Sequence, residues 1–202
     1  MTRQRFLGTF RLAFAVLTLA AVGVQLALGL RREDFVVANF FSFFTIESNL
    51  IGAVVFLITG FADLRARADR FAMFRGAATL YMTTTGVIYF LLLRGLEASL
   101  QTPVPWVNAV LHYLMPLAVL ADWFIAPPDR AVPLRRAWVW LLFPVAYVLY
   151  SLIRGPLVNW YPYPFLNADE QSYSQIAVTT VGMLFGMVLV TALLTARTRG
   201  RV

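Results

Sequence analysis

Six apolar stretches, each about as long as a bilayer is thick, dominate this chain and leave it few folds to choose from. A helix needs about 20 residues to cross the hydrocarbon core. The stretches predict helices at about Gly8–Leu30, Phe35–Ala62, Gly76–Leu93, Val104–Ile125, Arg136–Ile153 and Ser174–Ala196. The loops between them are short and rich in charge or turn residues; the longest, Arg154–Tyr173, is rich in proline and aromatic residues. Only 13% of the 202 residues are charged, and no segment outside the apolar stretches is large enough for a core of its own. The expectation is an all-α, polytopic membrane protein: one transmembrane domain over residues 1–202, a six-helix bundle. Arg3 and Arg5 followed by an apolar run imitate a signal peptide. That run continues to Leu30, so it is read as a retained first helix.

All 17 basic residues are arginines, and they orient the bundle. Thirteen fall in the N-tail, the second and fourth loops and the C-tail; Arg31, Arg32, Arg94 and Arg154 lie on the other side. The positive-inside bias puts both termini in the cytoplasm. Trp106 and Trp160 then fall near the outer boundary, and Trp123, Trp138 and Trp140 near the inner one, with Asp122 an interfacial residue beside them. The net charge of +7 is explained by these loops and by lipid headgroups, so nucleic acid is not an expected partner. The absence of cysteine excludes disulfides, thiolate metal sites and a cysteine nucleophile. One histidine without cysteine makes a metal site or haem improbable, and no cofactor is expected. The sequence sets no oligomeric state.

Chemistry is concentrated in the second stretch. On a continuous helix Ser42, Thr45, Ser48, Asn49 and Gly52 share one stripe, while Phe40, Phe41, Phe43 and Phe44 take the other faces. Polar groups in an apolar span need partners or a wet cavity. Counted from their helix starts, Thr45 and His112 lie at depths of roughly 15 and 12 Å, so the two side chains are expected to meet. Asn108, four residues before His112, is placed to orient the imidazole. Pro116, four residues after it, removes the N–H that would bond the carbonyl of His112. Thr84, Thr85, Tyr89, Tyr147, Tyr150, Gln175, Thr179 and Thr180 fall at similar depth, which predicts a polar layer as the floor of a pocket. Glu47 is turned about 200° from Thr45 and is expected to face elsewhere, protonated or paired with an Arg or Tyr as a latch. Against these readings, a lone Thr in a helix commonly bonds the carbonyl four residues back, here Phe41, and the Thr83-Thr-Thr85 run commonly packs helices.

Thr45 in its aromatic setting, His112 after Trp106-Val-Asn108, and Trp160-Tyr-Pro-Tyr-Pro-Phe165 before the last helix together resemble the androgen-induced (androgen-dependent TFPI-regulating) membrane-protein family. The three motifs occur in matching order over about Asn39 to Phe165. The resemblance implies a multi-span hydrolase of fatty acid esters of hydroxy fatty acids, with Thr45 and His112 as its intramembrane catalytic residues. The all-arginine basic composition and the Glu47-Ser-Asn49 run look bacterial, which would place the chain in a bacterial plasma membrane. The leading expectation is an intramembrane esterase in which His112 takes the Thr45 proton and Thr45 attacks a lipid ester. Asn108 holds the imidazole, Asn49 or Ser48 serves the oxyanion, and Ser42, Thr85 and Tyr147 complete the site. Two other readings stay open: a small transporter or channel, and a bundle that binds a lipid or partner without chemistry.

Overall fold

The computed structural model describes residues 2–68, 70–97 and 104–199; the far part of the expected loop Arg94–Pro103, from residue 98 on, and the tail arginine Arg201 lie outside them. The chain forms α1 (Arg3–Gly29), a short α2 (Val37–Phe41), α3 (Phe44–Leu64), α4 (Ala72–Leu93), α5 (Pro105–Ile125), α6 (Leu134–Val158) and α7 (Tyr173–Arg199). All but α2 are long and apolar enough to cross a membrane. The protein is an all-α bundle of six long apolar helices, consistent with a multi-pass integral membrane protein.

Its surface is apolar and several of its polar groups lie inside. Val16, Val54, Phe90, Leu117, Ile153 and Val181 point outward, whereas Arg11, Asn49, Arg75, His112 and Asp122 are buried. This is the arrangement that a lipid surround favours, since apolar side chains lose nothing against acyl chains. α1 packs along α3, and at their closest approach a Cβ on Gly8 would meet the carbonyl oxygen of Gly60 at 2.9 Å. Small residues let two backbones come this near. α7 begins with a reciprocal cap: the Ser172 N–H donates to the Gln175 side chain at 2.9 Å and the Gln175 N–H reaches the Ser172 hydroxyl at 3.4 Å.

One end of the bundle is locked by charge. Arg11 of α1 bonds Asp122 of α5 and Asp63 of α3, each at 2.8 Å, and Arg75 of α4 bonds Asp122 at 2.8 Å. Around them, the last carbonyls of α5 are capped from three other helices. Phe124 accepts from Arg197 at 3.0 Å, Ile125 from Arg3 at 2.7 Å, and Ala126 from Arg75. A helix C-terminus carries unpaired carbonyls and partial negative charge, so guanidinium groups suit it. Asp122, beside Trp123, is the buried hub of an ion-pair network. Trp123 and Trp140 are likewise buried in the core. Their rings meet edge to face at 6.3 Å, and the Trp123 indole donates to the Leu194 carbonyl at 3.2 Å.

The second expected helix, Phe35–Ala62, is corrected to two. The chain breaks at Ser42–Phe43, and α3 starts at Phe44 with Phe43 in extended conformation before it. Burial of aromatic rings explains the break. Phe43 packs on Trp160 and Tyr163, while Phe44 packs on Tyr147 and stacks on Phe143. A continuous helix would hold neighbouring rings 100° apart; the extended residue frees both to find separate pockets.

Candidate functional site

Beginning a helix inside the bundle leaves N–H groups without partners, and no side chain of α3 caps them. Two tyrosine hydroxyls do so instead. Tyr147 of α6 accepts from the Phe44 N–H at 3.2 Å and donates to the Ser42 carbonyl at 2.9 Å. Tyr163, from the loop between α6 and α7, accepts from the Thr45 N–H at 3.1 Å. Thr45 is thus the second residue of α3, not a residue ten positions into a span.

The Thr45 hydroxyl lies 3.4 Å from His112 Nε2 and 3.3 Å from the Tyr163 hydroxyl. His112 Nδ1 lies 3.3 Å from the backbone carbonyl of Asn108. A carbonyl can only accept, so that contact places the ring proton on Nδ1 and leaves the Nε2 lone pair toward Thr45. Asn108 does hold the imidazole, but through its backbone. Its side-chain amide donates to Tyr89 at 2.6 Å, and the Tyr89 ring stacks on the imidazole with centroids 4.0 Å apart.

His112 and Tyr89 both sit in π-wound turns, Val110–Leu114 of α5 and Tyr89–Leu93 of α4. Such turns are rare and favour functional sites. In α5 the wide turn has a backbone consequence. Met115 donates to Val110, and Pro116 has no N–H to give. The Leu111 carbonyl therefore lacks both of its possible backbone donors. Asn49 of α3 supplies one, at 3.0 Å, and also donates to the Thr45 carbonyl at 2.8 Å. Pro116 likewise has no N–H to give the His112 carbonyl four residues back, as expected.

The other expected site residues divide into two groups. Ser42 bonds the Ala38 carbonyl and Tyr150, each at 2.7 Å, and Ser48 bonds the Thr45 carbonyl at 3.2 Å and Thr85 at 2.8 Å. These groups, with Asn49, are spent on holding the break and the helix contact together. The donors of Asn49 and Ser48, expected to serve an oxyanion, are thus already engaged by backbone carbonyls and Thr85. Thr45, Thr84, Thr85, Tyr147 and Thr180, with Tyr163, line an otherwise apolar cavity of about 250 Å³. Gln175 is exposed and caps α7, and Thr179 does not line the cavity. Glu47 does not line it either, as its angle implied. The expected latch is not formed: among the described residues its Oε2 has no hydrogen-bond partner.

The cavity runs from Thr45 between α4, α6 and α7, and its wall includes the outward-facing Val145 and Leu149 of α6. It thus reaches the apolar surface of the bundle sideways. The loop after α6 closes it on the Thr45 side. α6 continues through Pro156 to Val158, further than its proline content implied, and ends at Asn159 in the left-handed conformation. The chain then folds back: Tyr161 packs so closely on Gly155 that a Cβ there would run into its ring. Trp160 meets Phe43 edge to face at 5.4 Å, and Tyr163 stacks on Phe165. Burial pushes the Tyr163 phenol up to about 12, so it stays a protonated donor at neutral pH.

Comparison with protein families, curated proteins and solved structures finds no match to the chain.

Proposed function

We propose that the protein is an intramembrane ester hydrolase in which Thr45 is the nucleophile and His112 the general base. One observation carries the reading: the Thr45 hydroxyl lies at the wall of an apolar cavity, 3.4 Å from the unprotonated face of the only histidine in the chain. Contacts between catalytic groups are often this long before substrate binds. The resemblance to the androgen-induced membrane-protein family implies the same pair.

The steps follow from the directions of the hydrogen bonds. A lipid ester places an acyl chain in the cavity and its carbonyl beside Thr45. His112 Nε2 takes the hydroxyl proton as Thr45 Oγ1 attacks the carbonyl carbon. The tetrahedral oxyanion is met by the Tyr163 hydroxyl, whose oxygen accepts from the Thr45 N–H at the start of α3, with the positive end of the helix dipole behind it. Collapse expels the alkoxide, which takes the proton back from His112 and leaves an acyl-Thr45 ester. Water, deprotonated by the same nitrogen, then releases the carboxylic acid. Fatty acid esters of hydroxy fatty acids are the first substrates to try, because the resemblance points to them and their chains suit an apolar cavity open to lipid.

The test is purified protein on a panel of lipid esters. Thr45→Ser keeps the hydroxyl and retains part of the wild-type rate; Thr45→Val and His112→Ala abolish turnover, and the double variant is no worse than either, since the pair acts as one unit. The rate rises with pH along a single-proton limb, because only the neutral imidazole is a base. Ester hydrolysis by Thr45→Val at the wild-type rate would falsify the mechanism.

A further inference from the structure

Among the described residues the Thr45–His112 pair has no carboxylate in contact with the imidazole, yet one stands a single side chain away. Glu97 follows the turn after α4, where Gly95 adopts a φ of +91° that brings the chain back over the helix end. Its Oε1 accepts from the Tyr89 hydroxyl at 2.7 Å and from the Gly95 N–H at 3.0 Å. Those two donors, the Gly95 N–H first, hold the Glu97 carboxyl below the usual carboxylate range. An ionised carboxylate only accepts, so the Tyr89 proton must point to Glu97. The Tyr89 oxygen is then left to accept from the Asn108 amide at 2.6 Å, and the ring is clamped from two sides against the imidazole at 4.0 Å.

We propose that Glu97 is a positioning residue that acts on His112 through Tyr89: it fixes the phenol, whose ring face in turn fixes the plane of the imidazole. The inference rests on the reading of His112 as the base. It gives the site an acidic member that touches neither substrate nor nucleophile. Without it the Tyr89 hydroxyl loses its acceptor, the Asn108 amide loses a defined partner, and the imidazole can turn about its Cβ–Cγ bond. A base that wanders by about 1 Å costs up to a hundredfold in rate.

Because His112 is the only histidine, isotope labelling of histidine gives a single imidazole in the whole spectrum. In full-length protein in lipid nanodiscs, two signatures report its placement without any substrate. The ring nitrogen shifts read the Nδ1–H tautomer, and the carbon-bound ring protons carry the shielding of the stacked Tyr89. In Glu97→Ala the tautomer shift moves toward the average of the two forms, part of the shielding is lost, and kcat falls ten- to a hundredfold with KM within twofold. Glu97→Gln keeps an oxygen that accepts from Tyr89 and restores most of both signatures, while Arg94→Ala in the same turn changes neither. Wild-type tautomer and shielding in a folded Glu97→Ala protein would overturn the proposal. So would a loss that Glu97→Gln does not restore, since that would mean the charge matters rather than the placement. Should the signatures respond as expected while the wild-type protein hydrolyses no ester, the positioning stands and the hydrolase reading fails.

Discussion

Replacing Asn49 with leucine tests the backbone argument on which the site is built, and does so without reference to activity. Asn49 is fully buried, and its amide makes two bonds, to the carbonyls of Leu111 and Thr45. The Thr45 carbonyl keeps the Ser48 hydroxyl at 3.2 Å, so the loss falls on Leu111. A buried carbonyl without a donor costs about 1–3 kcal/mol. Against this, Asn49 Oδ1 has no partner among the described residues, and leucine removes that desolvated acceptor. The net cost is about 1–2 kcal/mol. If Pro116 creates the vacancy, Pro116→Ala should remove it, because an N–H at 116 can bond Leu111 in the π register or let the turn relax to α. Asn49→Leu should therefore cost close to nothing in the Pro116→Ala background, a coupling of about 1–2 kcal/mol. The assay is reversible unfolding in mild detergent for the four members of the cycle. Additive effects, within about 0.3–0.5 kcal/mol, would show that Asn49 does not serve the proline defect.

Two further outcomes follow from the same structure. Asp122→Ala leaves Arg11 and Arg75 buried without their shared carboxylate and should destabilise the protein by about 3–5 kcal/mol in the same unfolding assay; Asp34→Ala, which breaks the solvent-exposed pair with Arg32, should produce no measurable change. The arginine count predicts cytoplasmic termini, so in the cysteine-free chain an impermeant thiol reagent on intact cells should label Ser172→Cys and spare Ala131→Cys, both exposed positions; labelling of the second alone would reverse the orientation.

The long apolar stretches marked the six helices because hydropathy over twenty residues is a local property of the chain. The pairing of Thr45 with His112 was legible too, but depth counting reached it by a wrong route. It assumed that the second helix starts near Phe35, whereas Thr45 comes to His112 because α3 starts at Phe44. Nothing local marks that start. There is no capping side chain, and the rings that favour it (Trp160, Tyr163, Phe143 and Tyr147) come from far along the sequence. The same holds for Tyr89, whose role depends on a π turn facing another π turn. The burial of Asp122 and Trp123 was not legible, because nearness to a helix end does not say what packs over it. Their partners lie on α1, α4 and α7, which no spacing along α5 can announce.

What separates Thr45 from the other polar residues of its stretch is what its hydroxyl is free to do. A threonine inside a helix bonds the carbonyl four residues back, and Thr59 and Thr79 do so, to Val55 and Arg75, each at 2.7 Å. Ser42, Ser48 and Asn49 are likewise engaged by backbone carbonyls. In Thr45 that local bond is broken off with the helix: Phe41, four residues back, belongs to α2, on the far side of an extended residue. Its hydroxyl is turned instead to two side chains, His112 and Tyr163, at the wall of the cavity. An apolar span makes an unbonded backbone group expensive, so a break in it must be held by tertiary contacts. Here Tyr147, Tyr163 and Asn49 hold the break and the neighbouring proline defect. The result of that arrangement is one hydroxyl in the stretch that no local carbonyl engages. It leaves that hydroxyl to His112 and Tyr163, as the proposed role of Thr45 requires.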